Sequence, residues 1–360
     1  MGKYKVCVYA ISKDEEQFVE RWMDAVSEAD LVVVLDTGST DETVGKLRKR
    51  GAIVYEDKIE PWRFDVARNK ALDYVPIDVD ICVSNDLDEV FEKGWRKKLE
   101  EVWRPFYTRA KYRFTWSYKA DSSPDKQFVM EKIHARNNFR WIHPVHEVLE
   151  YIGEEPDQSV AIYDIVLNHY PDLTKPRSQY LALLELSAEE NPMDDRTIFW
   201  LGREYMYYSQ YDACIEILKR HLSLPTATWD EERSASMRFI SNSYKAMENM
   251  SEAKVWLYRA IAECPYVREP YVYMAKLAYS EENWGLLFFV TEKGLEIKER
   301  SGSYLVEPES WGYILEDYAA ISCYYLGLYE KSYEHAIKAC ELLPNDSRLE
   351  NNKKLIKAKL

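Results

Sequence analysis

The hydrophobic pattern of the chain changes near residue 170, and this change most constrains the fold. Before it, short apolar runs alternate with stretches of helical periodicity, as in units that build a mostly parallel sheet covered by helices. After residue 178 the strand signals end and helical stretches follow one another. We therefore predict an α/β domain over residues 1–170 and an all-α domain over residues 178–360, joined by the proline-containing stretch 170–176.

The first region shows six elements in this pattern. Apolar runs predict strands, and apolar residues at helical spacing predict helices. The strands are predicted at 5–10, 31–35, 52–55 and 80–84, and the helices at 18–26 and 64–74.

The second region contains an internal repeat. Aligned on Pro225, Pro265 and Pro344, each unit has a small residue twelve positions earlier: Ala213, Ala253 and Ser332. Small residues at fixed places let two helices cross closely, and each helix pair needs neighbours to bury its open face. The units resemble tetratricopeptide repeats, so we predict tetratricopeptide-like helix pairs.

Charge and cysteine content narrow the class of protein. Lys and Arg number 48 against 62 Asp and Glu, and the resulting net charge of −14 argues against nucleic-acid binding. We expect no membrane span, because no apolar run approaches ~20 residues, and no secretory signal. Six cysteines without C-x-x-C pairs are typical of core residues in a reducing compartment, so a cytoplasmic location is expected.

Two acidic residues follow the fourth predicted strand. Asp86 and Asp88 are two positions apart, so in extended backbone both carboxylates point to the same side. Two adjacent like charges repel each other unless a cation lies between them or one of them takes up a proton. We therefore predict an Mn²⁺ or Mg²⁺ site at Asp86 and Asp88, with His169 as a candidate further ligand.

Other polar residues stand at predicted strand ends or on a core-facing helix stripe. Asp36 ends the second strand and is expected to point into the cleft at the carboxyl ends of the strands. Arg68 falls within an apolar stripe, which requires a partner. That partner is either a ligand or carboxylate at the cleft or, in the alternative, an internal Asp ion pair. Glu147 is a candidate general base.

These motifs together resemble family 2 glycosyltransferases. The order Asp36-Thr37-Gly38-Ser39-Thr40-Asp41, then Ala67-Arg68-Asn69, then Asp86-Leu87-Asp88-Glu89, then Val145-His146-Glu147 matches that family over residues 1–170. The resemblance implies a Rossmann-like GT-A fold. It also implies a metal-dependent, inverting hexosyltransferase that moves a sugar from a nucleotide sugar, expected to be a UDP-sugar, to a peptide, protein or glycan acceptor.

The resemblance also assigns roles to individual residues. The expected nucleotide-sugar-binding residues are Ala10, Ile11, Asp36, Thr37, Arg68, Asn69 and Asp86. The expected metal ligands are Asp86, Asp88 and His169, and the expected catalytic residues are Glu147 and His146.

Three alternatives stay open. The chain is alternatively a non-catalytic nucleotide-binding scaffold whose repeats bind a protein partner. A sugar nucleotidyltransferase is disfavoured, because residues 10–16 contain no glycine and are net acidic. The aromatic residues of the repeats fill helix crossings or, alternatively, dock the acceptor or a second copy in a homodimer.

Overall fold

The computed structural model describes residues 2–172 and 180–360, which divide into two compact units, Met1–Ser187 and Ala188–Leu360. Of the predicted linker 170–176, residues 173–176 lie outside the described residues.

The first unit combines a sheet with flanking helices. Its strands are β1 (Val6–Ser12), β2 (Leu31–Asp36), β3 (Ile53–Glu56), β4 (Ile81–Ser84), β5 (Glu89–Phe91), β6 (Arg109–Tyr118), β7 (Pro124–Ala135), β8 (Phe139–Ile142), β9 (Val148–Tyr151) and β10 (Ser159–His169). Its helices are α1 (Val19–Ala25), α2 (Thr43–Lys49), α3 (Phe64–Asp73) and α4 (Trp95–Val102), and α5 (Tyr180–Glu190) runs across the boundary between the units.

Within the described residues, eight of these strands form one sheet in the order β3-β2-β1-β4-β7-β6-β10-β5, and β8 pairs with β9. The strands β1 to β4 are parallel, as the sequence pattern indicates. The sheet is nevertheless mixed, because β6 and β7 form an antiparallel hairpin that places β7 against β4 in the opposite direction. An α/β first region is confirmed, and its sheet is less parallel than predicted.

Successive side chains of β1 point to opposite faces of the sheet, and both faces are buried. Val6, Val8 and Ala10 join a core with the helix residues Trp22 and Trp95, and each is at most 1 % exposed. Cys7 and Tyr9 point to the other face, where α3 and the β8–β9 ribbon cover them. This period of two explains why a central strand reads as a continuous apolar run.

The second unit is helical over all its described secondary structure. The helices are α6 (Asp195–Tyr207), α7 (Tyr211–Ser223), α8 (Asp230–Ala246), α9 (Met250–Glu263), α10 (Glu269–Ser280), α11 (Trp284–Glu296), α12 (Ile314–Tyr325), α13 (Tyr329–Leu342) and α14 (Ser347–Lys357). A short 3₁₀ turn, Pro308–Trp311, precedes α12.

These helices stack as pairs. Each of α6, α8, α10 and α12 packs on the helix that follows it, and α6, α8 and α10 also pack on the next first helix of the series. Two of the predicted small residues, Ala253 and Ser332, are fully buried at these crossings. Gly202 serves the same purpose in the first pair, because a Cβ there would lie 2.3 Å from Leu218 Cδ2. The predicted helical repeats are confirmed.

None of the helices within residues 2–172 and 180–360 combines the length and the hydrophobicity that crossing a bilayer requires. All six cysteines are buried and free.

Candidate functional site

The first candidate site lies where β1 and β4 end side by side. On one side of β1 the sheet continues with β2 and then β3, and on the other side β1 pairs with β4. In α/β sheets such a reversal opens a crevice at the carboxyl ends of the strands, where ligands bind. Ser12 pairs in register with Asp36, and Tyr9 with Ser84, so these strand ends bring predicted site residues to one edge.

Asp36 lies at this edge but is occupied by its own turn. Its Oδ1 accepts hydrogen bonds from the Gly38 and Ser39 backbone N–H groups at 3.0 and 2.8 Å, and its Oδ2 accepts from the Ser12 hydroxyl at 2.9 Å. Gly38 has φ +113°, which favours glycine. Thr37 donates its hydroxyl to the Ser12 carbonyl at 3.0 Å. The two residues therefore shape the loop beside the crevice.

Arg68 is the centre of a buried charge cluster. The side chain lies on α3 and is 5 % exposed. Its Nη1 and Nη2 donate to the two oxygens of Asp86 at 2.7 and 2.9 Å, and its Nε donates to Glu147. The alternative of an internal Arg–Asp ion pair is therefore the arrangement that the structure has.

A second cation completes the cluster. Lys132 Nζ on β7 lies 3.5 Å from an oxygen of Asp86 and 3.5 Å from an oxygen of Glu89. Burial raises the pKa of Asp86, but Arg68 and Lys132 outweigh burial and hold that pKa below its ordinary value. Burial raises the pKa of Glu89. Sequence reasoning missed Lys132, because β7 carries no motif; its place on a strand next to β4 was the available signal.

The remaining predicted residues of the first unit have mainly local contacts. Asn69 clamps β8 to α3, donating to the Trp141 carbonyl at 2.8 Å and accepting from the Trp141 N–H at 2.7 Å. His146 has φ +51°, and its ring centroid lies 5.8 Å from that of Tyr180. Ala10 is buried inside the sheet, and Ile11 is half-buried.

The predicted metal ligands do not converge. Asp86 is turned to Arg68, while Asp88 Oδ2 lies 3.2 Å from Nε2 of His169. Across the described ranges, the group of three acidic, histidine or cysteine side chains whose ligand atoms lie within 4.8 Å of one another is Asp195, His221 and Glu232. Asp86, Asp88 and His169 therefore do not fit a three-ligand site in this arrangement, and the Mn²⁺ or Mg²⁺ ion stays a prediction.

The second candidate site is the face of the helical unit formed by the first helices α6, α8 and α10, which we call the inner face. Along α6, Arg196, Trp200 and Arg203 are spaced to lie on one side of the helix. The Arg203 guanidinium carbon lies 3.8 Å from the centre of a Trp200 ring, a cation–π contact. The next two helices add further polar and cationic side chains: Arg238, Asn242, Lys245, Tyr273 and Lys276.

The aromatic residues of the repeats serve more than one purpose. Trp200 is buried, and its ring stacks on Tyr304 at 5.4 Å. Trp229 contacts the same tyrosine edge-on at 5.5 Å. In contrast, Tyr207 is 60 % exposed. Helix-crossing packing therefore accounts for part of the aromatic content, and part of it faces solvent.

Comparisons with known proteins find similar chains among solved structures. No family model matches the chain, and no curated protein matches it. Among solved structures, the C-terminal part of a tetratricopeptide-repeat protein from Cytophaga hutchinsonii has a TM-score of 0.40 at 15 % identity, over 51 % of this chain and 66 % of that one. PilF from Pseudomonas aeruginosa has a TM-score of 0.38 at 11 % identity, over 50 % of this chain and 72 % of that one.

The Cut9–Hcn1 heterotetramer of the APC/C is a further match, with a TM-score of 0.39 at 13 % identity. The match covers 50 % of this chain, and this chain spans 33 % of the length of that one.

These findings correct two predictions. The identification of the chain as a family 2 glycosyltransferase is wrong: no family model or curated protein supports it, and the solved structures named above are helical-repeat proteins. The prediction of a hexosyltransferase is wrong with it, and the GT-A assignment of the sheet is not confirmed. The ion pairs of Asp86 and Glu147 with Arg68 agree with this correction, because both carboxylates already have a structural partner.

Proposed function

We propose that this chain is a non-catalytic scaffold whose tetratricopeptide-like helical repeats bind a protein partner on the inner face. One observation carries the proposal: cationic and aromatic side chains from three successive helix pairs line the same face. Helical repeats stack so that equivalent positions form a continuous surface, which suits an extended chain better than a compact small molecule.

The inner face contains a cavity that side chains of such a chain can enter. It has a volume of about 200 Å³ and lies between α8, α9 and α10. Its lining includes Asn242, Lys245, Tyr273 and Lys276, so the polar side chains among its described lining residues are cationic, amide or hydroxyl groups and none is acidic. A cavity of this size accommodates one or two side chains of a bound peptide rather than a whole ligand.

Site-specific photo-crosslinking in the native host tests the proposal. A photoreactive amino acid at Asn242 reports on the inner face, and one at Val255 of α9, which is 40 % exposed, is the matched control on an outer helix. We expect a covalent protein adduct at position 242 that is lost on adding the substitution Lys276→Glu, and no equivalent adduct at position 255. Equal adducts at both positions, or none at 242, would contradict the proposal.

A second candidate function is favoured by the crevice at the ends of β1 and β4: binding of a nucleotide by the first unit. The support is the strand reversal at this point, together with the cations Arg68 and Lys132 at its edge. The carboxylates of Asp86, Glu89 and Glu147 outnumber these two cations, so binding of a polyanion requires an added cation or movement of Arg68.

Calorimetry on the whole chain tests this second candidate. UDP and GDP are titrated with and without Mn²⁺, and adenosine, which lacks phosphate, is the control. We expect saturable heat with a nucleoside diphosphate and none with the nucleoside. No heat from either nucleotide at millimolar concentration, with or without the metal, would reject nucleotide binding and leave the scaffold function intact.

A further inference from the structure

The connection between α11 and α12 is unusually long for this fold. It covers residues 297–313, whereas residues 264–268 join α9 to α10 and residues 343–346 join α13 to α14. Most connections in compact domains have ~4–6 residues, and much longer ones are commonly functional. We call its central part, Ser301–Trp311, the inner segment.

The inner segment lies on the inner face and contacts three first helices in turn. Ser301 donates its hydroxyl to Glu231 of α8 at 2.9 Å. Tyr304 stacks on Trp200 of α6, and its hydroxyl donates to Glu232 at 2.8 Å. Further along, Lys276 of α10 donates to Glu309 at 2.6 Å. The segment therefore crosses the repeats, as a bound peptide would.

An ion pair anchors the middle of the segment. Arg238 of α8, only 3 % exposed, donates to Glu307, and the Tyr273 hydroxyl donates to the same carboxylate oxygen at 3.2 Å. Burial lowers the pKa of Arg238, but the Glu307 carboxylate outweighs burial and raises it, so the guanidinium stays charged. A buried guanidinium requires an anion, and the inner segment supplies it.

The rest of the segment follows the same surface. Val306 and Ser310 are buried, and the Glu307 backbone N–H donates to Glu269 of α10 at 3.0 Å. The segment thus contributes an aromatic ring and two carboxylates to a surface that offers an aromatic ring and two cations and also carries acidic side chains such as Glu269. The two carboxylates of the segment pair with the two cations, so charge is complementary at these contacts.

We propose that the inner segment is an intramolecular ligand of the inner face, and that the external partner is an acidic peptide which displaces it. This inference rests on the proposed scaffold function. The peptide needs an aromatic residue followed three positions later by glutamate, because Tyr304 and Glu307 have that spacing in the segment. The ring takes the place on Trp200, and the carboxylate pairs with Arg238.

Because the segment belongs to the same chain, it competes strongly with an external peptide for the inner face. A covalently linked ligand acts at an effective concentration in the millimolar range for short flexible linkers. An untethered peptide of the same sequence therefore binds the wild-type chain weakly. It binds more tightly when the contacts of the segment are removed and the inner face is left intact.

Fluorescence anisotropy with a labelled peptide of residues 301–311 tests the inference on the full-length chain. The variant Tyr304→Ala/Glu307→Gln, which we call the open variant, weakens the contacts of the segment with the inner face and leaves Trp200 and Arg238 in place. We expect it to bind the peptide at least about tenfold more tightly than wild type. The matched control Tyr258→Ala/Glu299→Gln, which changes one exposed tyrosine and one exposed glutamate, is expected to bind like wild type.

One altered peptide and one measurement on the unmutated chain complete the experiment. A peptide carrying Glu307→Lys is expected not to bind the open variant. Hydrogen exchange on the wild-type chain needs no mutation: we expect saturating peptide to speed exchange of the amides of residues 301–311. Equal affinity of wild type and open variant, or unchanged exchange, would overturn the inference. So would a wild-type dimer that the peptide dissociates, because the segment would then come from a second copy.

The two proposals fail separately. A crosslink at position 242 together with no peptide binding would keep the scaffold function and reject the acidic-peptide inference. Peptide binding without any crosslinked protein would keep the segment as an intramolecular ligand of the inner face and reject the external partner.

Discussion

The Arg68 guanidinium and the Asp86 carboxylate form a two-bond ion pair, with N–O distances of 2.7 and 2.9 Å, at the carboxyl ends of β1 and β4. Arg68 comes from α3 and Asp86 from the loop after β4, so the pair ties a helix to the sheet beneath it. The pair explains how a charged side chain fits on an apolar helix stripe. It also gives the Asp86 carboxylate a partner within the chain.

Arg68→Ala is expected to destabilise the first unit by about 3 kcal/mol, because it leaves the partly buried carboxylates of Asp86 and Glu147 without the guanidinium that pairs with both. Native-state hydrogen exchange of the β1 and β4 amides measures the loss. Arg48→Ala is the matched control: Arg48 pairs with Glu56 at the surface, and its removal should cost at most ~1 kcal/mol. Equal effects of the two substitutions would refute the role of the buried pair.

His134 is expected to make the first unit sensitive to mild acid. Burial lowers its pKa to about 3, and its ring nitrogens lie 2.9 Å from the Tyr9 hydroxyl and 2.7 Å from the Ala135 carbonyl. An unfolded histidine takes up a proton near pH 6.5, whereas the folded one does not. Its contribution to stability is therefore full above pH 6.5 and is lost as the pH falls from 6.5 toward 3.

Between pH 6.5 and pH 5 this loss amounts to about 2 kcal/mol, at 1.36 kcal/mol for each pH unit. Urea unfolding at several pH values measures it. The variant His134→Gln removes the titrating group and should flatten the dependence over this range. If wild type and variant lose stability in parallel, another group is responsible.

Gly202→Ala is expected to destabilise the α6–α7 pair by about 1–3 kcal/mol, because the added methyl group overlaps the Leu218 side chain. Gly285→Ala in α11 is the matched control, since a Cβ there meets nothing within 4 Å. That substitution should be neutral or stabilise by ~0.5–1 kcal/mol, because alanine favours the helix. Scanning calorimetry compares the two, and a lower melting temperature for the control alone would contradict the packing argument.

Asp346→Ala is expected to loosen the last helix by about 1 kcal/mol. The Asp346 side chain caps α14 by accepting a hydrogen bond from the Leu349 N–H at 2.9 Å. Asp346→Asn keeps an acceptor at this place and should cost much less. Hydrogen exchange of the first-turn amides of α14 measures both variants, and indistinguishable exchange rates for alanine and asparagine would reject the cap.

The local hydrophobic pattern predicted those strands and helices of the first unit for which the pattern is strong. The apolar run before Ser12, the helix that begins at Phe64 and the strand that ends at Ser84 all lie within one or two residues of their predicted positions. Most of the strands after residue 109 were not predicted individually. Partly exposed strands such as β7 have a mixed pattern, and their stability depends on the neighbours with which they pair.

The sequence motifs predicted the contacts of the candidate site less well than the apolar pattern predicted the strands and helices. The spacing of Asp86 and Asp88 indicated a shared cation, but spacing does not show what else reaches a carboxylate. Lys132 and Arg68 come from β7 and α3, distant in sequence, and both lie within ion-pair distance of Asp86. The pattern of the motifs resembled an enzyme family, and the comparisons do not support that assignment.

The sequence by itself determined the division into an α/β unit and a helical-repeat unit, because hydrophobic periodicity is a local property that each segment carries. Tertiary structure alone decided which charges meet. Arg238 and Glu307 stand 69 residues apart, and only the stacking of the helix pairs brings the inner segment onto the inner face. Such pairings depend on the positions of whole elements in space, so no short stretch of the chain encodes them.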